Sequence, residues 1–331
     1  DLVAHRIVRN MDVDSLRDRA VLVYLNGEHW GMYNLRERAD KFMIGIKYGE
    51  EDVDVLEWEG WAVEGDNLHW LETMDYLRVA DREDPETYAW LGERVEIPSY
   101  IDYQIGQIYI DNWDWPGNNL KWWRPRTEDG RWRWLLYDTD FGLGIWGGGA
   151  WSDTLAFALD PWGPSWPNPP WSTEFFRLCM DMPEFQHAFA NRYADLLNTE
   201  FLPTRTTAIL EEAREERDLA MVEQLVRWGS DPWGYDIWEG AWDEELDGIH
   251  DWLVDRPDYA RDHVMNNLDL DGTYPLDLWA EPFGAGSFTV STIDVEPPFF
   301  GTYFQDLPVE ITALPKPGFT FVGWDDPSLG T

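Results

Sequence analysis

The sequence predicts a fold in which strands and helices occupy separate stretches of the chain. Two turn signals indicate β-hairpins in the first half, Asn26-Gly27 and Asp129-Gly130, each between apolar runs. From Ser172 to about Leu270 apolar residues recur at helical spacing. Beyond Asp271 short β-rich runs alternate with Pro and Gly. We therefore expect a mixed helix-and-strand chain that ends in a small β region.

Local patterns place the individual elements. Further helices are predicted where apolar residues recur every three or four positions, the last of them capped by Ser99: 1–11, 67–80, 85–95 and 99–112. Strands are predicted where β-branched and aromatic residues cluster: 20–24, 30–35, 120–125, 131–138, 287–295, 308–314 and 319–324. The stretch 145–171 is rich in Trp, Gly and Pro and is predicted to be a long ordered loop. We expect it to pack over a functional cleft, with a carbohydrate-stacking surface as the alternative.

Composition limits the classes of partner. The 331 residues, enough for one large domain and a small one, include 64 acidic and 25 basic residues, a net charge of −39. Binding to nucleic acid or to an anionic membrane needs positive charge, so both are disfavoured. A single cysteine, Cys179, excludes an intrachain disulfide and a cysteine-based zinc site. No signal peptide or membrane-length apolar run is visible, so membrane insertion is not expected. The first residues read as the middle of a helix, so we expect further chain before them.

Acidic and amide side chains gather at the two ends of the second hairpin. Asp114, Asn118 and Asn119 precede its first strand, and Asp138 and Asp140 follow its second. A hairpin of this length brings its ends together, so these side chains can face one small volume. Carboxylates gathered in this way repel one another unless a cation or a basic group lies among them. The alternative is local turn chemistry, in which Asp and Asn only cap backbone groups.

The spacing of these residues favours chemistry over capping. Asp114 and Asn119 reproduce the D-x-x-x-x-N of a kinase catalytic loop. Asp140-Phe141-Gly142, after an apolar strand, reproduces the D-F-G that follows that loop in kinases. Each motif alone is weak. The two in this order, joined by a hairpin, indicate phosphoryl transfer.

Several stretches resemble the CotH (spore-coat protein H) kinase family. YLNGEHWGMYNLRERADKFMI, which contains the first hairpin, is similar to the family's signature N-G-E-x-x-G-x-Y-x-L-x-E pattern. GDNLHW before an apolar helix, the N-x-D and N-N that follow the next helix, and YDTDFG after the second hairpin are similar to further family blocks. The resemblance runs from about residue 1 to residue 278.

The resemblance implies an atypical, reduced protein-kinase-like fold of the α+β class that uses ATP and Mg²⁺ or Mn²⁺. It implies transfer of the γ-phosphoryl group to a hydroxyl, that of Ser or Thr, on a surface or secreted protein. Asp114 matches the catalytic-loop aspartate, which orients the acceptor hydroxyl and takes its proton. Asn119 matches the ligand of a second metal ion, with Asn118 as the alternative. Asp138 and Asp140 both match the metal-binding aspartate, and which of them ligates directly is left open.

The group that would clamp the phosphates is the least defined part of the resemblance. Neither a V-A-I-K lysine nor a Gly-rich phosphate loop is present. Arg36, beside Glu37 on the return strand of the first hairpin, is the best substitute, with Lys41 and Lys121 behind it. Arg36 could equally be a surface residue of that strand.

The end of the chain resembles a different family. GTYFQDLPVEITALPKPGFTFVGW is similar to the small β-repeat called the divergent InlB B-repeat. We therefore expect a CotH-like domain at 1–278 and a partial β-repeat domain at 279–331, the latter dispensable for nucleotide chemistry. Such repeats are extracellular spacers or adhesion modules, which implies a bacterial protein that is secreted or displayed on the cell surface.

Two other classes of function remain compatible with the sequence. A surface binding or adhesion protein that has lost catalysis would keep the fold, the acidic residues and the Trp-rich loop. A glycoside hydrolase would use paired carboxylates beside aromatic side chains, and should place two isolated carboxylates across a groove.

Overall fold

The computed structural model describes residues 1–145, 148–229 and 240–326, so parts of the predicted loop, helical stretch and β-repeat (146–147, 230–239 and 327–331) lie outside the described residues. Its helices and strands occupy separate stretches, which confirms the α+β class and the small all-β C-terminal part. The helices are α1 (Leu2–Ile7), α2 (Lys41–Tyr48), α3 (Leu68–Leu77), α4 (Pro85–Gly92), α5 (Ile97–Tyr109), α6 (Thr154–Leu159), α7 (Glu174–Met180), α8 (Pro183–Leu197), α9 (Pro203–Glu215), α10 (Asp218–Trp228) and α11 (Ala241–Asn267). Among the residues that the structure describes, no helix combines the length and apolar composition needed to cross a bilayer.

The strands form one larger sheet and several small ones. They are β1 (Asp14–Ser15), β2 (Asp18–Leu25), β3 (Glu28–Arg36), β4 (Val53–Glu57), β5 (Trp61–Glu64), β6 (Lys121–Pro125), β7 (Arg133–Leu136), β8 (Thr273–Leu278), β9 (Gly286–Val290), β10 (Ile293–Val295), β11 (Phe299–Phe304) and β12 (Ile311–Pro315). The larger sheet has the order β1-β7-β6-β4-β5, with β1 parallel to β7 and the other pairs antiparallel.

The first hairpin forms as predicted. Asn26 and Gly27 both have positive φ (53° and 86°), as a two-residue type I′ turn requires, and β2 and β3 pair along their whole length. The hairpin packs on α10, where a Cβ at Gly31 would come within 2.9 Å of the Gln224 and Trp228 side chains. Only glycine allows this close approach without a shift of these two side chains.

The second hairpin is the centre of the larger sheet. Trp122 on β6 lies opposite Trp134 on β7. As the alternation predicts, Trp132 and Trp134 share one face, since both rings contact Trp70 of α3 at 5.8 and 6.0 Å between centroids. Helix α5 packs against this face and is buried along nearly its whole length. Its end therefore lies where the hairpin's two ends meet.

Three predicted elements are corrected by the structure. Helix α5 begins at Ile97, so Ser99 is a buried helical residue rather than a cap; Pro98, which lacks an N–H, fits the first turn. The predicted loop at 145–171 contains helix α6, whose first turn is capped by the Asp153 carboxylate through the Ala156 N–H (2.9 Å). No strand forms at 319–324; there Phe321 and Trp324 pack on each other, 5.0 Å between ring centroids.

The C-terminal β region is attached to α8 through buried polar contacts. Strand β8 pairs with β11, and β9 pairs with β10 and β12. The buried Asp195 carboxylate accepts from the Tyr303 hydroxyl (2.8 Å) and from the Thr292 N–H (3.0 Å). The division at residues 278 and 279 stays a prediction, and the β8–β11 ladder runs across it.

A buried carboxylate joins the sheet to α2. Asp14 is fully buried, and it accepts hydrogen bonds from Lys47 Nζ (2.7 Å), Trp123 Nε1 (2.9 Å) and Tyr48. Arg133 Nε is 3.3 Å away. Burial opposes ionisation of Asp14, but the charges of Arg133 and Lys47 outweigh it and lower the pKa of the carboxyl.

Replacing Asp14 by Ala should lower the free energy of unfolding by about 3 kcal/mol, because the buried Trp123 N–H loses its acceptor and the partly exposed Arg133 and Lys47 lose a carboxylate. Asp12 is a matched control: it also pairs with Arg133 (2.6 Å), but its side chain is 53% exposed. Asp12→Ala should cost less than about 1 kcal/mol. Urea unfolding curves measure both.

The pH dependence gives a second readout of the same variant. The pKa of Asp14 is lowered by folding, so its contribution is complete above the unfolded-state pKa and is lost as the pH falls through the folded-state pKa. The difference in unfolding free energy between wild type and Asp14→Ala should therefore shrink in acid. Equal costs for the Asp12 and Asp14 variants, or a difference that does not change with pH, would contradict this account.

Candidate active site

The predicted site lies on two loops. The Asp114 loop, residues 110–120, follows α5, and the Asp138 loop, residues 137–144, is the acidic loop that follows β7. Four residues of these loops that are not glycine have left-handed backbones, with φ between 54° and 57°: Asp111, Asn119, Asp138 and Leu143. Each such residue costs about 1–3 kcal/mol and persists only where its surroundings hold it. The loops are joined to each other by main-chain hydrogen bonds from Trp113 N–H to Phe141 O (3.0 Å) and from Leu143 N–H to Ile110 O (2.8 Å).

Asp114 is held by the two amides that follow it. One carboxylate oxygen, Oδ2, accepts from the Nδ2 of Asn118 (3.0 Å) and of Asn119 (2.8 Å). The other oxygen, Oδ1, is buried and has no hydrogen-bond partner within the part of the chain that the structure describes. Burial, and then the negative charge of Asp140, raise the pKa of Asp114 above the ordinary aspartate value, against the two amide hydrogen bonds. The amides thus fix the side chain through Oδ2 and leave Oδ1 unpaired among the described residues.

Asn119 also joins the two loops. Its Nδ2 donates to the main-chain O of Asp138 (3.2 Å) as well as to Asp114. Asn112 Nδ2 lies 3.4 Å from the same carbonyl and 3.0 Å from Gln107 Oε1. These contacts bring the two ends of the β6–β7 hairpin together around Asp114.

Asp138 and Asp140 lie on the exposed side of this cluster. Partial burial of Asp138 and then the charges of Asp140 and Asp114 raise the pKa of the Asp138 carboxyl, while the charge of Arg36 opposes the rise. The structure therefore brings together five of the predicted residues, with acidic groups that repel one another: Asp114, Asn118, Asn119, Asp138 and Asp140.

Arg36 reaches the cluster from the first hairpin. Its guanidinium pairs with the Asp1 carboxylate, which also accepts from the N–H (2.9 Å) and the Oγ1 (2.7 Å) of Thr139. Thr139 lies between Asp138 and Asp140 in the chain, so Arg36 lies beside the acidic loop. Its side chain is 37% exposed, which leaves it accessible to an anionic ligand.

Lys121 borders the cluster from strand β6. Its Nζ donates to the main-chain O of Ala39 (3.1 Å), lies 3.5 Å from the Glu57 carboxylate and stands 5.2 Å from the centre of the Tyr137 ring. Tyr137 is the neighbour of Asp138 in the chain. Lys121 is thus close to the acidic loop but already has acidic and aromatic partners.

Glu37 and Lys41 are engaged elsewhere. The Glu37 carboxylate accepts from the Arg17 N–H (2.8 Å), and its own N–H donates to the Arg17 carbonyl (3.0 Å), which closes the open end of the first hairpin. Lys41 Nζ pairs with Glu64 of β5 (2.9 Å). The contacts of both side chains are structural, and the structure does not bring them to Asp114.

The donor set fits a divalent cation whose coordination is completed by phosphate oxygens. Within the described residues there is no group of three or more His, Cys, Asp or Glu side chains that could hold a metal ion by itself. Mg²⁺ in nucleotide sites, however, is usually bound by one or two carboxylates together with substrate phosphates. Asp138, Asp140 and Asn119 supply such a partial set, and the partnerless oxygen of Asp114 lies beside it.

Sequence reasoning missed three residues of this site. Asn112 shares the Asp138 carbonyl with Asn119, and Asp1 with Thr139 places Arg36. For Asn112 a signal existed, an amide two positions before Asp114 in the N-x-D block. Asp1 and Thr139 are 138 residues apart in the chain, so no local sequence pattern could indicate their contact.

The Trp-rich stretch packs beside the Asp114 loop. The Gly117 N–H donates to the Pro167 carbonyl (2.5 Å), and a Cβ on Gly117 would come within 2.4 Å of that oxygen. Three of its indoles nevertheless face solvent, at 64%, 86% and 59% exposed: Trp151, Trp162 and Trp166. The stretch thus covers one side of the loop and also presents aromatic surface.

Comparison with known proteins agrees with this geometry. A family model described as CotH kinase protein matches residues 1–260. No curated protein matches the chain. The family match spans the first hairpin, α5 and both loops that hold the acidic cluster, and the chain therefore belongs to the CotH kinase family.

Proposed function

We propose that the protein is an ATP- and metal-dependent kinase that transfers the γ-phosphoryl group to a Ser or Thr hydroxyl of a surface or secreted protein. The observation that carries the proposal is the partnerless, buried oxygen of Asp114 beside the exposed carboxylates of Asp138 and Asp140. Membership of a kinase family supports the general class of activity.

Asp114 is suited to bind and deprotonate an acceptor hydroxyl. Its Oδ2 is occupied by Asn118 and Asn119, so the carboxylate cannot turn away, and Oδ1 is the atom left to accept. Its raised pKa makes it a stronger base than an ordinary aspartate. Positioning of the acceptor is most of what a kinase contributes, because phosphoryl transfer has a loose transition state.

Asp138, Asp140 and Asn119 would hold the cation. When bound, Mg²⁺ or Mn²⁺ with ATP supplies the positive charge and the transferable phosphoryl group. The Asp138 and Asp140 carboxylates would orient that ion, and Asn119 would couple its position to Asp114, because the Asn119 Nδ2 contacts both loops. Arg36, with Lys121 behind it, is placed to neutralise phosphate charge.

The two alternative classes are less well supported. Burial and then the charge of Asp140 raise the pKa of Asp114 and of Asp138, and these carboxylates converge with amides, which favours a cation site over the two separated carboxylates of a glycosidase. A catalytically inactive binding protein would not need Asp114 to keep an unpaired buried oxygen, since such a group costs stability.

The resemblance of residues 301–324 to extracellular repeats supports an exported protein, and hence an acceptor outside the cell.

ATP should bind only together with Mg²⁺ or Mn²⁺. The triphosphate is repelled by Asp114, Asp138 and Asp140 and by the net charge of −39 unless a cation lies between them. Isothermal titration calorimetry with ATP, in metal and in excess chelator, measures the difference. Equally tight binding in chelator would rule out the cation site.

Substitutions of Asp114, Asp138 and Asp140 should have different effects on binding and on transfer, according to the role of each residue. Asp114→Ala should lower kcat by about 10²–10⁴-fold and leave metal-ATP binding in place, because general base catalysis contributes that much. Asp138→Ala and Asp140→Ala should lose binding as well as transfer. Asp129→Asn, an exposed acid in the turn at the far end of the same hairpin, removes the same charge and should change neither.

Radiolabelled phosphate transfer to a Ser-rich test protein, run beside nucleotide titration, reads out both quantities. Full transfer by Asp114→Ala would end the assignment of the base. In a binding protein that has lost catalysis, wild type itself would form no phosphorylated product.

The carboxyl pKa values should respond to one another. In Asp140→Asn the pKa of Asp114 and that of Asp138 should both fall, because the neighbouring negative charge that raises them is removed. Titration of the side-chain carboxyl carbons by NMR without metal measures this. Asp129→Asn should shift neither value, and unchanged pKa values in Asp140→Asn would show that the carboxylates are not close.

A further inference from the structure

Arg256 is a fully buried cation whose hydrogen bonds, among the described residues, all go to main-chain carbonyls, and its guanidinium also lies 5.2 Å from the centre of the Trp252 ring. It lies on α11 with no exposed surface, and among the described residues no carboxylate pairs with it. Its guanidinium donates to four carbonyl oxygens at 2.6–2.9 Å: Ile108, Tyr109, Ala150 and Ser152. These four hydrogen bonds join α11 to the end of α5 and to the segment before α6.

The end of α5 explains how such a charge is tolerated. A buried cation without a carboxylate partner is costly. The last carbonyls of a helix lack intrahelical partners and carry the negative end of the helix dipole, which favours a cation there. Ile108 and Tyr109 are in this last turn. The planar fork of Arg256 satisfies two of these carbonyls and two of the neighbouring segment at once.

The Asp114 loop begins, and the Asp138 loop ends, next to these contacts. Two residues after Tyr109, the Asp111 carboxylate accepts from Thr154 Oγ1 (2.5 Å), two residues after Ser152. Ile110 O accepts from Leu143 N–H (2.8 Å), at the end of the Asp138 loop. The position of the α5 end therefore fixes where the chain turns toward Asp114 and where the second loop is tied to the first.

We propose that Arg256 is a positioning residue for phosphoryl transfer, which sets the placement of Asp114 by fixing the end of α5 against α6. This inference rests on the proposed function. Arg256 contacts the end of α5, which leads directly into the Asp114 loop, whereas the Asp138 loop follows strand β7 and is tied to the first loop by the main-chain hydrogen bonds of Phe141 and Leu143. Loss of the four hydrogen bonds of the Arg256 guanidinium should therefore displace Asp114 more than the proposed metal-binding carboxylates.

The test variant is Arg256→Lys, which keeps the positive charge but cannot span four carbonyls. The matched control is Arg217→Lys. Arg217 is also buried, at 7% exposed, and donates to Ala213 O near the end of α9 (3.0 Å), with no contact to either loop. Steady-state kinetics with Mg-ATP and an acceptor protein give kcat and KM. Amide hydrogen exchange over residues 111–119 and 139–143 gives a readout that does not need activity.

Arg256→Lys should lower kcat by about 10–100-fold with less than about a twofold change in the KM for ATP, since a small misplacement of a catalytic group costs rate rather than binding. Exchange should quicken in residues 111–119 and 139–143, and Arg217→Lys should change neither readout. Unchanged exchange in these segments, an equal increase in Arg217→Lys, or a rise in KM with kcat retained would overturn the proposal. If wild type transfers no phosphate, the proposed function fails, and exchange alone still decides the role of Arg256.

A second variant keeps the proposal testable if Arg256→Lys does not fold. Thr154→Val keeps the side-chain shape but removes the hydrogen bond to Asp111 at the other end of the same connection. It should quicken exchange across residues 111–119 and lower kcat in the same direction. Exchange equal to that of wild type would contradict the proposed connection.

Discussion

Mutual repulsion among three carboxylates is the constraint on which the structure of the site depends. Burial, and then the charge of Asp140, raise the pKa of both Asp114 and Asp138, so the cluster is costly as it stands. The groups that hold Asp114 in the cluster are uncharged side-chain amides, those of Asn118 and Asn119. The backbone of the two loops is held in conformations that are themselves unfavourable. The charge of Arg36, which pairs with Asp1, opposes this repulsion only in part, so the cluster is suited to a ligand that brings a cation with it.

The rest of the fold supplies rigid supports for this cluster. The β6–β7 hairpin sets the distance between its ends, and its indoles pack on α3 and α5. Helix α5 delivers the Asp114 loop, and Arg256 fixes where that helix ends. The first hairpin packs on α10 and brings Arg36 to the exposed side, through Asp1 and Thr139. Buried ionisable groups also join separate elements: Asp14 joins the sheet to α2, Asp195 joins α8 to the C-terminal β region, and Arg256 joins α11 to the end of α5.

Local signals in the sequence predicted the parts of the site that depend on local geometry. Asn26-Gly27 and Asp129-Gly130 specified the hairpins, and a hairpin of known length brought Asp114 and Asp138 together. Elements with conflicting local signals were predicted less well. Ser99 indicates a helix cap, but Pro98 fits a first helical turn, and α5 begins at Ile97. Helix α6 is short, and the Trp, Gly and Pro residues around it indicate a loop. Single long-range contacts could not be predicted at all. Nothing near Arg256 in the chain indicates that its partners are 104 to 148 residues away.

The most direct test of the cation site is paramagnetic broadening of amide NMR signals by Mn²⁺ with ATP. Broadening depends steeply on distance from the ion, so it locates the metal whether or not phosphate is transferred. The account predicts that the signals of Asn119, Asp138, Thr139 and Asp140 are lost first, and that Asp140→Asn restores them while Asp129→Asn does not. Broadening centred on another acidic surface, with these four signals intact, would contradict it.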